Sequence, residues 1–272
     1  MIVHYVIIVA ASSTPTAETF VDKSYQNAFM KRMHKQRQSD KYTDVTLQSS
    51  NVDIRCHRNV LAAASDYLNA MFQCDVEDPV QMDMKPEILT AIIDYIYTGE
   101  VELTADNVES LLKACDVLQL DTLKTACESF MLKHVDPANC FGFHKIAASY
   151  HLDELQQKAR RMMRSEFKIV ASTDEFKKLS CNELIEFIKE DEVNVASEDV
   201  VFDAVLGWIQ HDLDNRKSCM ETIIEHVRLP YCTSEYLENM RDKYDLLTPK
   251  CFKYLYEAVA FQLSLVHQPE ME

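Results

Sequence analysis

The side chains able to do chemistry are scattered along this chain, and each cluster can be judged by what it lacks. His144 follows Cys140 by four residues and His151 lies further on, so a metal-binding pair could form on one helix face. A structural zinc needs two more ligands, and no matching cluster supplies them. The neighbouring Phe141 and Ile146 give that face the character of a packed one. Cys56 and His57 adjoin without a nameable general base, and Asp44 with Arg58 reads as a structural charged pair at the heart of the fold. Cys74 lies in a polar loop where Asp75, Glu77 and Asp78 would raise its thiol pKa and suppress the reactive thiolate. No ionisable groups gather in a cleft, so the chain reads as a non-enzyme that needs no cofactor and no metal.

Composition narrows the field further. The 272 residues, 47 % hydrophobic, suffice for one large or two ordinary domains. Three glycines are too few for a phosphate loop, a dinucleotide fingerprint or the blades of a β-propeller. A net charge of −16 repels polyanions, so nucleic acid is not expected as a direct partner. The basic run Lys31, Arg32, His34, Lys35 and Arg37 reads as a solvated helix face, as does Arg160, Arg161 and Arg164. Nine cysteines without a C-x-x-C pair fall mostly at apolar helical positions, which predicts reduced thiols in an intracellular compartment. The apolar start MIVHYVIIVAASS lacks a basic lead and is too short to span a bilayer, so no membrane association is expected.

The elements that position these groups follow from periodicity. Residues 1–18 show no period and are expected to form a mobile extension. Tyr25, Phe29 and Met33 recur every four positions on one stripe of a helix running from Phe20 to about Arg37. Val45 and Leu47, then Val52, Ile54 and Cys56, alternate as a hairpin. Two short helices follow, the second capped by Ser65 and carrying Leu68, Met71 and Phe72. A third strand is expected near Val80–Met84 and a helix from Pro86 to a stop at Gly99; Val101 and Leu103 look strand-like, and helices capped by Thr104 and Asp121 complete the domain. Asp136-Pro137 marks a boundary, after which every strong pattern is helical, including a capping box at Ser180–Glu183.

The Asp44-Val45 strand, the His57–Ala63 helix HRNVLAA and Ala70–Phe72 together resemble the BTB/POZ domain, as does YIYTGEVELTADNVESLLKACDVLQL. PANCFGF, SEDVVFDAVLGWIQHD and HVRLPYCTSEYL resemble the BACK domain of kelch-like proteins. The resemblance implies an α+β BTB/POZ domain over 19–135, an all-α BACK domain over 136–265 and a tail over 266–272. It implies a substrate adaptor of a cullin-3 RING ubiquitin ligase in the cytoplasm, with the nucleus also open, and an unassigned substrate. Alternatives are a non-ligase cytoskeletal or transcriptional scaffold, or a cysteine-based sensor. The implied cullin-binding residues are Ala70, Met71, Phe72, Val76, Asp78, Leu118 and Cys140, with Met71, Phe72 and Leu118 otherwise readable as core. Asp78 stands where the family's loop has Glu, one methylene longer. Tyr25, Phe29 and Met33 are the implied homodimer face, with packing against their own domain as the alternative; pairing with other kelch-like proteins is also implied. The family's kelch propeller is absent from these residues, as in a fragment or a natural short form.

Overall fold

Val45, Leu47, Ile54 and Cys56 are all buried, so the period-two pattern closes as expected into an antiparallel hairpin of β1 (Val45–Ser49) and β2 (Val52–Cys56), with Val45 opposite Cys56 and Leu47 opposite Ile54. The computed structural model describes residues 20–74, 77–189, 197–240 and 247–266. The expected extension at 1–18 and the tail beyond Val266 lie outside the described residues. The chain divides into two compact units, one ending at Glu102 and the other beginning at Leu103.

In the first unit, β3 (Val80–Gln81) pairs parallel to β1 and gives the sheet order β2-β1-β3. It is shorter than expected, although Met82 N–H still reaches the Gln48 carbonyl at 2.8 Å. Helices α1 (Tyr25–Gln38), α2 (Arg58–Ala64), α3 (Asp66–Phe72) and α4 (Pro86–Thr98) complete the unit. Ser65 caps α3 by accepting the Leu68 N–H at 3.1 Å. Pro86 opens α4, and Gly99 ends it with a φ of 75°, where a side chain would be strained. Ile88, Leu89, Ile92 and Ile93 bury the core face of α4.

The polar centre of this unit is Tyr97, 1 % exposed on α4. Its hydroxyl accepts the His57 backbone N–H at 2.9 Å and meets His57 Nδ1 at 2.8 Å, while His57 Nε2 lies 3.0 Å from the Lys41 carbonyl. A carbonyl only accepts, so Nε2 carries the proton and the Tyr97 hydroxyl donates to Nδ1. Burial pushes the Tyr97 pKa up to about 12, which keeps that proton in place. Arg37 stacks 5.1 Å above the Tyr97 ring and pairs with Asp94.

Three expectations need correction here. Arg37 is not on a solvated face, because its side chain is 12 % exposed and tied to α4. Asp44 and Arg58 form no buried charge pair: Asp44 is exposed, its carboxylate accepts the Arg58 backbone N–H at 2.7 Å, and Arg58 Nε donates to the Asp44 carbonyl at 3.3 Å. The two residues therefore fasten the start of α2 through backbone groups. Val101 and Leu103 have no strand partner among the described residues and remain extended loop.

The second unit is helical throughout its described residues. Its helices are α5 (Val108–Leu118), α6 (Asp121–Lys133), α7 (Cys140–Tyr150), α8 (Asp153–Ser165), α9 (Phe167–Val170), α10 (Asp174–Lys177), α11 (Cys181–Ile188), α12 (Glu198–His211), α13 (Leu213–Arg216), α14 (Met220–Ile223), α15 (Ser234–Asn239) and α16 (Pro249–Val266), with three short 3-10 turns between α13 and α15. Asn107 rather than Thr104 stands at the N-cap of α5, and Leu120 rather than Asp121 at that of α6. Asp136 accepts the Ala138 and Asn139 N–H groups, forming a turn that leads into α7 at Cys140.

Phe141, Phe167, Phe176 and Phe187 pack together, with Phe141 edge-on to Phe187 at 5.2 Å and Phe167 stacked on it at 5.4 Å. Glu175 accepts the Phe141 and Gly142 N–H groups at 3.0 and 3.2 Å at the start of α7. A β-carbon at Gly142 would lie 2.7 Å from the Glu175 carboxylate, so glycine there permits the approach.

Two stability predictions follow from these networks. Tyr97→Phe leaves buried His57 groups unsatisfied and costs about 1–3 kcal/mol in denaturant unfolding. At the Ser180 capping box, the bond to Lys145, then the Ser180 backbone N–H, hold the Glu183 carboxyl down to about 2. The folded pKa lies below the unfolded one, so the contribution is complete above about pH 4.3 and fades as pH falls toward about 2. Water screens it, since the Glu183 side chain is 40 % exposed. Thermal melts of Glu183→Gln should lose less stability than wild type across that window.

Candidate protein-docking surfaces

On α1 the apolar stripe faces outward. Tyr25 and Phe29 are 63 % and 47 % exposed and stack on one another at 6.3 Å, Met33 is half-buried, and no residue of the helix is fully buried. A cleft of about 350 Å³ separates Phe29, Met30 and Met33 from Val60, Ala63 and Ile96. Helices of this kind bury their stripe elsewhere when a partner is supplied.

At the end of α3, Leu68 points into the core while Ala70 is exposed and Met71 and Phe72 are half-buried. The Arg58 guanidinium lies 5.5 Å from the centroid of the Phe72 ring, over its face, and braces it by a cation–π contact. Cys74, just beyond, is exposed. Val76 and Asp75 lie outside the described residues. Asp78 is exposed, and its carboxylate accepts the Thr46 backbone N–H at 2.7 Å and lies 3.5 Å from the Thr46 hydroxyl. Thr46 precedes the first β1–β3 residue pair, Leu47 with Val80, so the Asp78 carboxylate supplies an acceptor just before the ladder begins.

In the second unit, Leu118 is 1 % exposed and Cys140 fully buried, so neither side chain is presented to a partner in this structure. Both sit at positions where helical periodicity turns the residue inward. The exposed apolar side chain beside Leu118 is Val117, which periodicity alone could have distinguished. Cys140 Sγ lies 3.5 Å from the Pro137 carbonyl, and His151 caps α7 in a left-handed conformation with φ 56°. Among the described residues no group of three or more His, Cys, Asp or Glu side chains is placed to hold a metal. A groove of about 880 Å³ also opens here, with Phe141, Met163, Leu179 and Phe187 among its walls and Lys145 and Glu183 on its lining.

Sequence reasoning missed the ties that α12 makes. Glu198, 5 % exposed, accepts the Arg228 backbone N–H at 3.1 Å and lies 3.4 Å from its Nε. Asp199 accepts the Thr233 N–H and hydroxyl at 2.8 and 2.9 Å, and Asp203 accepts the Tyr236 hydroxyl at 2.6 Å. These acids belong to the SEDVVFDAVLGWIQHD stretch and their partners to HVRLPYCTSEYL, so the two motifs hold each other. Spacing within either motif carries no trace of that pairing. Among the described residues no helix is long and apolar enough to cross a membrane.

Comparison with known proteins agrees with this architecture. The BTB/POZ domain model matches residues 33–135, and the BACK model, BTB And C-terminal Kelch, matches residues 140–242. Kelch-like protein 17 of Mus musculus is 34 % identical over 248 residues, covering 89 % of this chain and 39 % of that protein. Kelch-like protein 23 of Homo sapiens is 35 % identical over 194 residues, 69 % of this chain and 35 % of that protein. Kelch-like protein 2 of Homo sapiens is 33 % identical over 240 residues, 86 % of this chain and 40 % of that protein. The chain thus spans about two fifths of the length of such relatives. Kelch-like BTB–BACK proteins are adaptors and scaffolds rather than enzymes. With a BTB/POZ fold followed by a helical BACK domain, this chain belongs to the kelch-like BTB–BACK family.

Proposed function

We propose that this chain is an adaptor that docks the cullin-3 scaffold through the end of α3 and dimerises through α1. Proteins of its family are known generally as cullin-3 adaptors. The observation that carries the reading is the half-exposed apolar cluster of Ala70, Met71 and Phe72, braced by Arg58 and followed by an acidic loop. A small, braced apolar anchor with a polar surround is the make-up of an interface hot spot. Within the second unit, Val117 takes over the contact expected of Leu118, and Cys140 shapes α7 from inside. Asp78 acts by fixing the loop to β1 rather than by reaching out. By holding a substrate near a ubiquitin-charged enzyme, such an adaptor raises effective concentration without chemistry of its own. A cytoplasmic or nuclear site of action fits this role.

Calorimetric titration with the N-terminal region of cullin-3 tests the docking surface. Binding is expected, and Phe72→Ala should weaken it at least tenfold, about 1.4 kcal/mol. Absence of heat at tens of micromolar protein, with folding intact, would remove the adaptor reading. Light scattering tests the α1 face: wild type should give a dimer mass and the double variant Phe29→Asp, Met33→Asp a monomer mass. A monomeric wild type, or an unchanged dimer in the variant, contradicts that assignment.

A further inference from the structure

Every acid or base on α1 is a base. The helix Tyr25–Gln38 carries Lys31, Arg32, Lys35 and Arg37, with His34 among them, and has no Asp or Glu, in a chain whose net charge is −16. Arg37 turns inward to Asp94 and the Tyr97 ring. Lys31, Arg32 and Lys35 are exposed, and none of the three has an ion-pair partner among the described residues. Arg32 follows Phe29 by three positions and Tyr25 by seven, which sets it on the flank of the same stripe, and Lys35 follows Arg32 by three and Lys31 by four. The outward face of α1 therefore joins exposed aromatic side chains, Tyr25 and Phe29, to an edge of one charge sign.

A two-fold interface is the same patch met by its own copy, and residues near the axis face their equivalents. Centred on the Tyr25–Met33 stripe, it lays α1 against the α1 of a second copy. The apolar stripe is suited to that meeting, but the cations are not. Lys35 lies about 9 Å along the helix from Phe29, and Lys31 and Arg32 lie nearer, so all three approach their own copies within about the Debye length at 0.1 M salt. We infer that α1 selects a partner of opposite charge: a second chain of this fold whose matching helix carries the same apolar stripe edged by carboxylates, in preference to a second copy of this chain. The inference rests on the reading of α1 as the dimerisation face. Burial of the stripe still pairs two identical copies, and like-charge repulsion weakens that pairing relative to the mixed one.

The test uses the full chain and, as its oppositely charged partner, the triple variant Lys31→Glu, Arg32→Glu, Lys35→Glu, which keeps the stripe and the Arg37 tie. Equal amounts of the two, one bearing a mass tag, are mixed until the dimer ratio is constant and weighed by native mass spectrometry or light scattering. Mixed dimers should exceed either homodimer by about tenfold near 0.01 M salt and fall to the share expected of random pairing near 1 M. A second measurement separates this local repulsion from that of the whole acidic chain. The variant Lys31→Gln, Arg32→Gln, Lys35→Gln is more negative overall than wild type, so repulsion between whole chains would make its homodimer the more salt-dependent of the two. The repulsion inferred for α1 makes it the less salt-dependent. Random pairing at both salt concentrations, or a glutamine variant whose homodimer responds to salt as strongly as wild type, would overturn the inference and leave the dimer reading standing. Monomer mass in every mixture would overturn both.

Discussion

A single buried hydroxyl, that of Tyr97, connects most of the first unit. It satisfies the backbone N–H where β2 hands over to α2, fixes the His57 ring that reaches the Lys41 carbonyl, and lies under the Arg37 guanidinium. A buried polar group is costly unless every bond is made, so these elements stand or shift together. The arrangement also decides how α1 is held. Its C-terminal end is tied by Arg37 to Asp94 and Tyr97, whereas Tyr25 and Phe29 at the other end reach into open space. The exposed stripe follows from anchoring a long amphipathic helix at one end.

In the second unit the comparable constraint is charge at the start of α12. Glu198 is buried and would be destabilising alone, yet the Arg228 N–H and guanidinium satisfy it. Asp199 and Asp203 extend the same logic to Thr233 and Tyr236. The polypeptide between α14 and α15 has little regular structure of its own, only 3-10 turns, and these acids fix its course.

The parts of this fold legible in the sequence are those governed by near neighbours. The β1–β2 alternation, the Ser65 cap, the capping box at Ser180 and the glycine stop at Gly99 each involve residues within one turn or one hairpin. Features that depend on distant partners were not legible. The bond from the Thr46 N–H to Asp78 joins residues 32 positions apart and exists only once the sheet has formed. Leu118 and Cys140 carried a resemblance but lie on the inner faces of their helices. At the α3 end, the exposed Ala70 and the half-buried Met71 and Phe72 follow a buried Leu68 in an order that helical periodicity makes legible.

Trp208 is the chain's sole tryptophan, and it is buried in the second unit beneath a cation, with its N–H bonded to a carbonyl. Indole emission is therefore a local reporter. It registers loosening of the α12 neighbourhood and is blind to the Tyr97 network, whereas circular dichroism sums over both units. In a chain of two units, melting curves from the two signals need not coincide. The gap between them measures how far the sheet-bearing unit and the helical unit unfold as one.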